Sequence, residues 1–166
     1  FHESVEVEGS AVRIAHDLRK QMGGTCGSVL WTASLALVGW LSAEPSRRQL
    51  IADHSVVELG AGVGFVGTCL RRMGARQVLV TDVPRQLPIL RRNLLLNSRE
   101  EDGDALQCCG FVWGERPRQV FGQPWDLIVA CDVCYNVNHV PDLADALAAL
   151  LERDDAGGAE RAPRAL

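Results

Sequence analysis

Ser55-Val56-Val57-Glu58-Leu59-Gly60-Ala61-Gly62-Val63-Gly64 decides how this chain folds. Its first five residues read as a buried strand, and three alternating glycines follow directly. Phe65 to Gly74, FVGTCLRRMG, then reads as a helix closed by a glycine. Strand, tight turn and helix in that order open a parallel sheet. Glycine suits the turn because a side chain would hold a ligand away from the backbone and because tight turns often require positive φ. Free N–H groups at the start of the next helix favour a carboxylate.

Outward from this unit the pattern repeats. Gln77 to Thr81 makes a second apolar strand that ends in Asp82, and Leu87 to Asn97 makes a second helix rich in Leu and Arg. Leu106 to Trp113 gives a third strand, and Trp125 to Cys131 a fourth, of the kind covered on both faces. Pro141 starts a last amphipathic helix, DLADALAALL. Upstream, Val5 and Val7 alternate with glutamates, Gly9-Ser10 supplies a turn, and Val12 and Ile14 resume the alternation, which predicts a short N-terminal hairpin. Past glycines 23, 24 and 27, VLWTASLALVGWL predicts a buried helix ending near Ser42 and Pro45. Together these elements predict an α/β fold with a doubly wound, mainly parallel sheet over residues 1–151. The remainder, ERDDAGGAERAPRAL over 152–166, has no apolar periodicity and is expected to be a disordered tail. No internal repeat occurs, so a solenoid or propeller is set aside.

With 166 residues, 47% hydrophobic and 23% charged, the chain suits one globular core. The net charge is −4 and the basic residues lie in scattered pairs, so nucleic acid is not an expected partner. No apolar run approaches the roughly 20 residues that span a bilayer, and FHESVEVEGS lacks the layout of a signal peptide, so the chain is expected to be soluble, free of membranes and intracellular. Phe1 in place of Met gives the expectation of a fragment or processed form. The six cysteines fall mostly in apolar runs and read as reduced core residues. A single C-x-x-C, Cys131 and Cys134, without a second knuckle does not predict zinc. Trp40 and Trp125 read as core.

In an open parallel sheet, ligands gather at the carboxyl ends of the strands where the strand order reverses. Gly60, Gly62 and Gly64 occupy that turn, and Asp82, at the tip of the second strand, can accept hydrogen bonds from both hydroxyls of a ribose. Glycine turn and strand-end acid together predict a nucleoside cofactor. Gly62 to Gly67 also satisfies the literal G-x-G-x-x-G, which leaves a nicotinamide-dependent oxidoreductase open.

Glu58-Leu59-Gly60-Ala61-Gly62-Val63-Gly64 and Val80-Thr81-Asp82 resemble the first two motifs of class I, S-adenosylmethionine-dependent methyltransferases, whose sheet is Rossmann-like. Gly27-Ser28-Val29-Leu30-Trp31, Phe111-Val112-Trp113-Gly114 and Asp126 to Tyr135 narrow the resemblance to methyltransferase family 16, the non-histone protein-lysine methyltransferases. Its most diagnostic piece is Asp132-x-x-Tyr135. The resemblance implies S-adenosylmethionine as cofactor, with Trp31 beside it, Glu58 and the Gly60-Ala61-Gly62 backbone along its methionine and ribose portion, Trp113 near the adenine, and Cys131 contributing backbone. It further implies that Asp132 and Tyr135 orient an acceptor lysine amine. The implied partner is a protein carrying that lysine, of the chaperone or translation-factor kind, in the cytoplasm and also the nucleus.

None of the four histidines falls in a motif, His139 included, so no general base is assigned and the proton is expected to leave to water. Thr32 stands where the family usually places an acid. The tail does not read as the further strands with which the family completes its sheet, so Leu127 to Ala130 is expected to form an open edge and the isolated chain to be unstable. Alternatives to an active methyltransferase are a truncated, inactive cofactor-binding or interaction module and the oxidoreductase.

Overall fold

Ser55–Leu59 is buried at every residue, as a strand covered on both faces must be, and it forms the middle strand of the sheet. The computed structural model describes residues 2–19, 21–22, 26–152 and 163–166. In chain order these form β1 (His2–Val7), β2 (Ser10–Ala15), α1 (Thr32–Ser42), α2 (Pro45–Arg48), β3 (Ser55–Leu59) and α3 (Phe65–Arg72). β4 (Gln77–Asp82), α4 (Leu87–Asn97), β5 (Leu106–Gly110), α5 (Arg118–Phe121), β6 (Leu127–Val129), α6 (Val140–Leu151) and β7 (Arg164–Ala165) follow. The sheet order is β5-β4-β3-β6-β7 with every pairing parallel, and it reverses direction between β3 and β6. The α/β, doubly wound expectation therefore holds.

Alternate residues of the strands feed two cores. Val56, Val78, Val80, Leu127 and Val129 pack with Phe65, Val66, Leu70 and Leu90 of α3 and α4. On the opposite face Val57, Leu59, Leu79 and Ile128 pack with Val120, Leu143, Ala146 and Leu150 of α5 and α6. α4 begins with a proline in its first turn, where the missing N–H costs nothing, and α6 does the same.

The hairpin forms as expected, with Val5 opposite Val12, but it turns at Glu8-Gly9, both at positive φ, one residue earlier than the sequence suggests. It stays apart from the main sheet and is fastened to α4 by two buried amides. Asn93 Oδ1 accepts from the Ala15 N–H at 2.8 Å while its Nδ2 donates to the carbonyls of Ala15 and Val63, each at 3.0 Å. Asn97 bonds the Arg13 N–H and carbonyl in the same way.

Several expectations need correction. α1 is a surface helix that buries only Val38 and Leu41, because it packs on α3 and α2 along one side alone. Trp40 is turned outward, with the Arg47 guanidinium 4.6 Å above its ring, whereas Trp125 is buried and donates its Nε1–H to the Val120 carbonyl. The edge of β6 is not open: Arg164 N donates to Asp126 O, Leu166 N to Ile128 O, and Ala130 N to Leu166 O. Two residues are too few to show periodicity, yet they satisfy a row of edge groups that would otherwise face water. Residues 153–162 of the expected disordered tail lie outside the described residues. All six cysteines are free, but only Cys69 and Cys109 are buried, and Cys26 and Cys134 are exposed. Among the described residues no helix is long and apolar enough to cross a membrane.

Candidate active site

At the carboxyl ends of β3, β4 and β6, beside the point where the strand order reverses, a cleft of about 770 Å³ opens. That is within the range of about 300–1,000 Å³ of small-molecule sites, and this position is where open parallel sheets hold ligands. Gly60 and Gly62 run through its floor at φ of 71° and 56°, and Gly64 follows behind them at 76°, all in the left-handed region that favours glycine. A β-carbon on Gly62 would meet the Gly27 carbonyl oxygen at 2.9 Å, and one on Gly60 would meet Val133 Cγ1 at 2.8 Å. The floor is bare backbone by necessity.

The turn is held from below by Asp82. Its Oδ2 accepts the Gly62 N–H at 2.8 Å and its Oδ1 the Val83 N–H at 2.7 Å. Burial pushes the Asp82 carboxyl above its ordinary range, against the pull of those two hydrogen bonds and of Arg85. Gln86 Nε2 donates to the Gly62 carbonyl at 3.2 Å, so the turn is braced on both sides.

Of the residues singled out from sequence, Trp31, Gly60, Ala61, Gly62, Asp82, Trp113, Cys131, Asp132 and Tyr135 all line this one cleft. Glu58 and Gly64 do not. Gly64 turns toward α4, where Leu90 fills the space a side chain would need. Glu58 lies behind the turn beneath α3, fully buried, accepting a hydrogen bond from the Gly67 backbone and leaving Oε2 without a partner. Desolvation raises its pKa to about 8, with the Asp82 charge adding to the rise and the Gly67 N–H opposing it.

Trp31 caps the start of α1, half exposed, and donates its indole N–H to the Cys26 carbonyl at 2.9 Å. Trp113 stands against Gly60 and meets the His139 ring edge-on, with centroids 6.5 Å apart. Asp132 follows β6 at a φ of 56°, a conformation aspartate tolerates better than most residues. Tyr135 is 71% exposed, and its hydroxyl accepts the Cys26 thiol at 3.1 Å. Cys26, Gly27, Val83, Arg85, Val112, Asn136, His139 and Asp142 also line the cleft. Val83 and Arg85 could have been found from their place just after the strand-end acid. Cys26 and Asp142 arrive through tertiary packing and leave no local signal. Among the described residues no group of three or more His, Cys, Asp or Glu side chains is placed to hold a metal ion.

The set of groups fits a nucleoside bearing a charged tail. Bare backbone admits the tail, a strand-end carboxylate suits vicinal hydroxyls, and two indoles offer flat apolar walls. At the outer end, Asp132 and Tyr135 can accept N–H bonds from a second, incoming group.

A family model described as lysine methyltransferase matches residues 13–156. Protein N-lysine methyltransferase METTL21A of Xenopus tropicalis is 32% identical over 124 residues, covering 75% of this chain and 54% of that protein. EEF1A lysine methyltransferase 3 of the same organism is 28% identical over 139 residues, covering 84% of this chain and 58% of that protein. The chain spans about half the length of the curated relatives it matches. Among solved structures, magnesium protoporphyrin IX methyltransferase (ChlM) of Synechocystis PCC 6803 with bound SAM aligns at a TM-score of 0.54 and 17% identity, over 80% of this chain and 64% of that one. That likeness is one of fold.

Proposed function

The chain belongs to the lysine methyltransferase family, methyltransferase family 16, and on that premise we propose that it transfers a methyl group from S-adenosylmethionine to a lysine side chain of a non-histone protein. The observation that carries this reading is the bare Gly60–Gly62 turn, fastened to Asp82 and opening on a cleft whose far end presents Asp132 and Tyr135. Asp82 would hold the ribose hydroxyls with the lone pairs its backbone bonds leave free. The Gly60-Ala61-Gly62 backbone would take the methionine portion, with Trp31, Trp113 and the Cys131 backbone as walls. Glu58 and Gly64 would support the turn from behind.

When bound, the cofactor supplies a methyl group activated on a sulfonium. The chain's own residues then need only align and desolvate the acceptor, because an in-line displacement requires no covalent nucleophile on the enzyme. A lysine amine, ordinarily protonated below about pH 10.4, must shed its proton before it can attack. Asp132 and Tyr135 would accept the remaining N–H bonds and aim the lone pair, and the proton leaves to water. The acceptor protein we propose is a translation factor or chaperone. The first is supported by a relative named for EEF1A, the second by the family resemblance. The compartment we propose is the cytoplasm, with a nuclear share, in keeping with six free thiols.

The test is transfer of labelled methyl from S-adenosylmethionine to proteins of a lysate, with the modified residue read by mass spectrometry. Methyl-lysine that appears with the intact chain and disappears with Asp82→Ala is the expected result. Calorimetric binding of NAD but not S-adenosylmethionine would overturn it, and binding of the cofactor without any transfer would reduce the chain to a binding module.

A further inference from the structure

Cys26 has no place in the proposed chemistry, yet three contacts seat it over the cofactor turn. Its carbonyl accepts the Trp31 indole N–H at 2.9 Å. Its neighbour Gly27 lies so close above Gly62 that the carbonyl oxygen stands 2.9 Å from where a β-carbon would be. Its thiol donates to the Tyr135 hydroxyl at 3.1 Å, joining two walls of the cleft that are 109 positions apart in the chain.

Tyr135 needs such a partner. A phenol 71% exposed on a connecting loop has little packing to select one rotamer. We propose that Cys26 is a positioning residue: its thiol fixes the Tyr135 hydroxyl at the acceptor end of the cleft, in register with the glycine turn on which Gly27 rests. For what Tyr135 then does, this rests on the lysine methyltransferase reading; the contact itself does not. Hydrogen bonding to the neutral phenol and negative charge nearby both disfavour the phenolate. The Cys26 hydrogen bond, then burial, then the charges of Cys26 and Asp82 accordingly hold the Tyr135 phenol up to about 12, with Arg85 opposing.

Tyr135 is the only tyrosine of the chain, so its ionisation can be read directly from phenolate absorbance after a rapid pH jump. The intact chain should titrate near 12, and Cys26→Ala should fall toward the ordinary 10. In methyl transfer, Cys26→Ala should lower kcat/KM for the protein acceptor about three- to tenfold, the worth of one hydrogen bond, with cofactor binding unchanged. Cys26→Ser should restore most of that loss, and Cys26→Ala should cost nothing further in a Tyr135→Phe background. An unmoved phenol titration in Cys26→Ala, or losses that multiply in the double variant, would overturn the proposal. A chain that transfers no methyl yet shows the titration shift would sink the methyltransferase reading and support the Cys26–Tyr135 contact.

Discussion

Replacing Glu58 by Gln should stabilise the protein at neutral pH, and by an amount that depends on pH in a defined sense. Glu58 is 2% exposed, reaches from β3 toward Gly67 of α3, and has one carboxyl oxygen with no hydrogen-bond partner. Its folded-state pKa of about 8 stands above the ordinary 4.5, chiefly because burial penalises the charge. A group raised on folding contributes stability that is fully present below the unfolded value and is lost as pH rises toward the folded one. At about 1.4 kcal/mol per pH unit, the loss is about 1 kcal/mol at pH 5 and about 3 kcal/mol at pH 7, levelling off near 5 kcal/mol above pH 8.

Glutamine keeps the shape and the acceptor for the Gly67 N–H but cannot ionise. The advantage of Glu58→Gln over the intact chain should therefore be near zero at pH 4.5 and grow steadily to pH 8. Urea unfolding of both proteins at each pH reads it. With a urea slope of about 2 kcal/mol per molar, the midpoints should separate by roughly 1–2 M at pH 7. Taking the difference cancels every other titrating group, Asp82 included. A gap that does not change with pH would refute the argument, and an intact chain gaining on the variant as pH rises would show that Glu58 is ionised and paired in the fold.

Gly62→Ala should cost about 1–3 kcal/mol of stability and abolish the rise in Tm with S-adenosylmethionine, because its β-carbon meets the Gly27 carbonyl at 2.9 Å. Gly9→Ala, at a similar φ of 70° but with nothing within 4 Å, should lose stability through the backbone alone and keep the full cofactor shift. Asn93→Ala strands the Ala15 N–H and the Ala15 and Val63 carbonyls and should lower stability by about 3 kcal/mol or more in urea melts. Ser98→Ala, whose exposed hydroxyl bonds only the Leu95 carbonyl, should change it by less than about 0.5 kcal/mol.

What could be read from sequence follows from what each element buries. β3 and β4 are covered on both faces, so their residues form short, mainly apolar runs with clear ends, and α4 appears with the bounds the leucine pattern predicts, Leu87–Asn97. α2, α5 and β7 are four, four and two residues long, too short for a period to show. β7 in particular is specified by the edge of β6 rather than by its own sequence, which is why an open edge was the natural expectation. Trp40 misled because an aromatic ring states how much surface it can bury and not which way it faces; Arg47 covers it at the surface. In the site, the glycines and Asp82 declare themselves because backbone geometry demands those residue types locally. The Cys26 contact with Tyr135 spans 109 positions, and nothing local in either segment requires the other.

The same distinction explains why the literal G-x-G-x-x-G does not by itself point to a dinucleotide. Its first glycine, Gly62, is bare because Gly27 and the cleft leave no room above it. Gly64, the next glycine of the run, serves α4: a side chain there would meet Leu90 Cδ1 at 2.5 Å. The last, Gly67, lies inside α3, where a β-carbon would run into Val80 and meet Glu58 Oε2 at 2.7 Å, so its absence of side chain lets the helix close on β3 and β4. Of the three, only Gly62 lines the cleft; the other two are held to glycine by the packing of α3 and α4, whatever the cleft binds. The spacing therefore reports how tightly a helix packs on its strands, and the choice between cofactors passes to the groups around the cleft. There, one acid beneath the turn and Asp132 with Tyr135 at the far end suit a nucleoside whose reacting group faces an incoming amine.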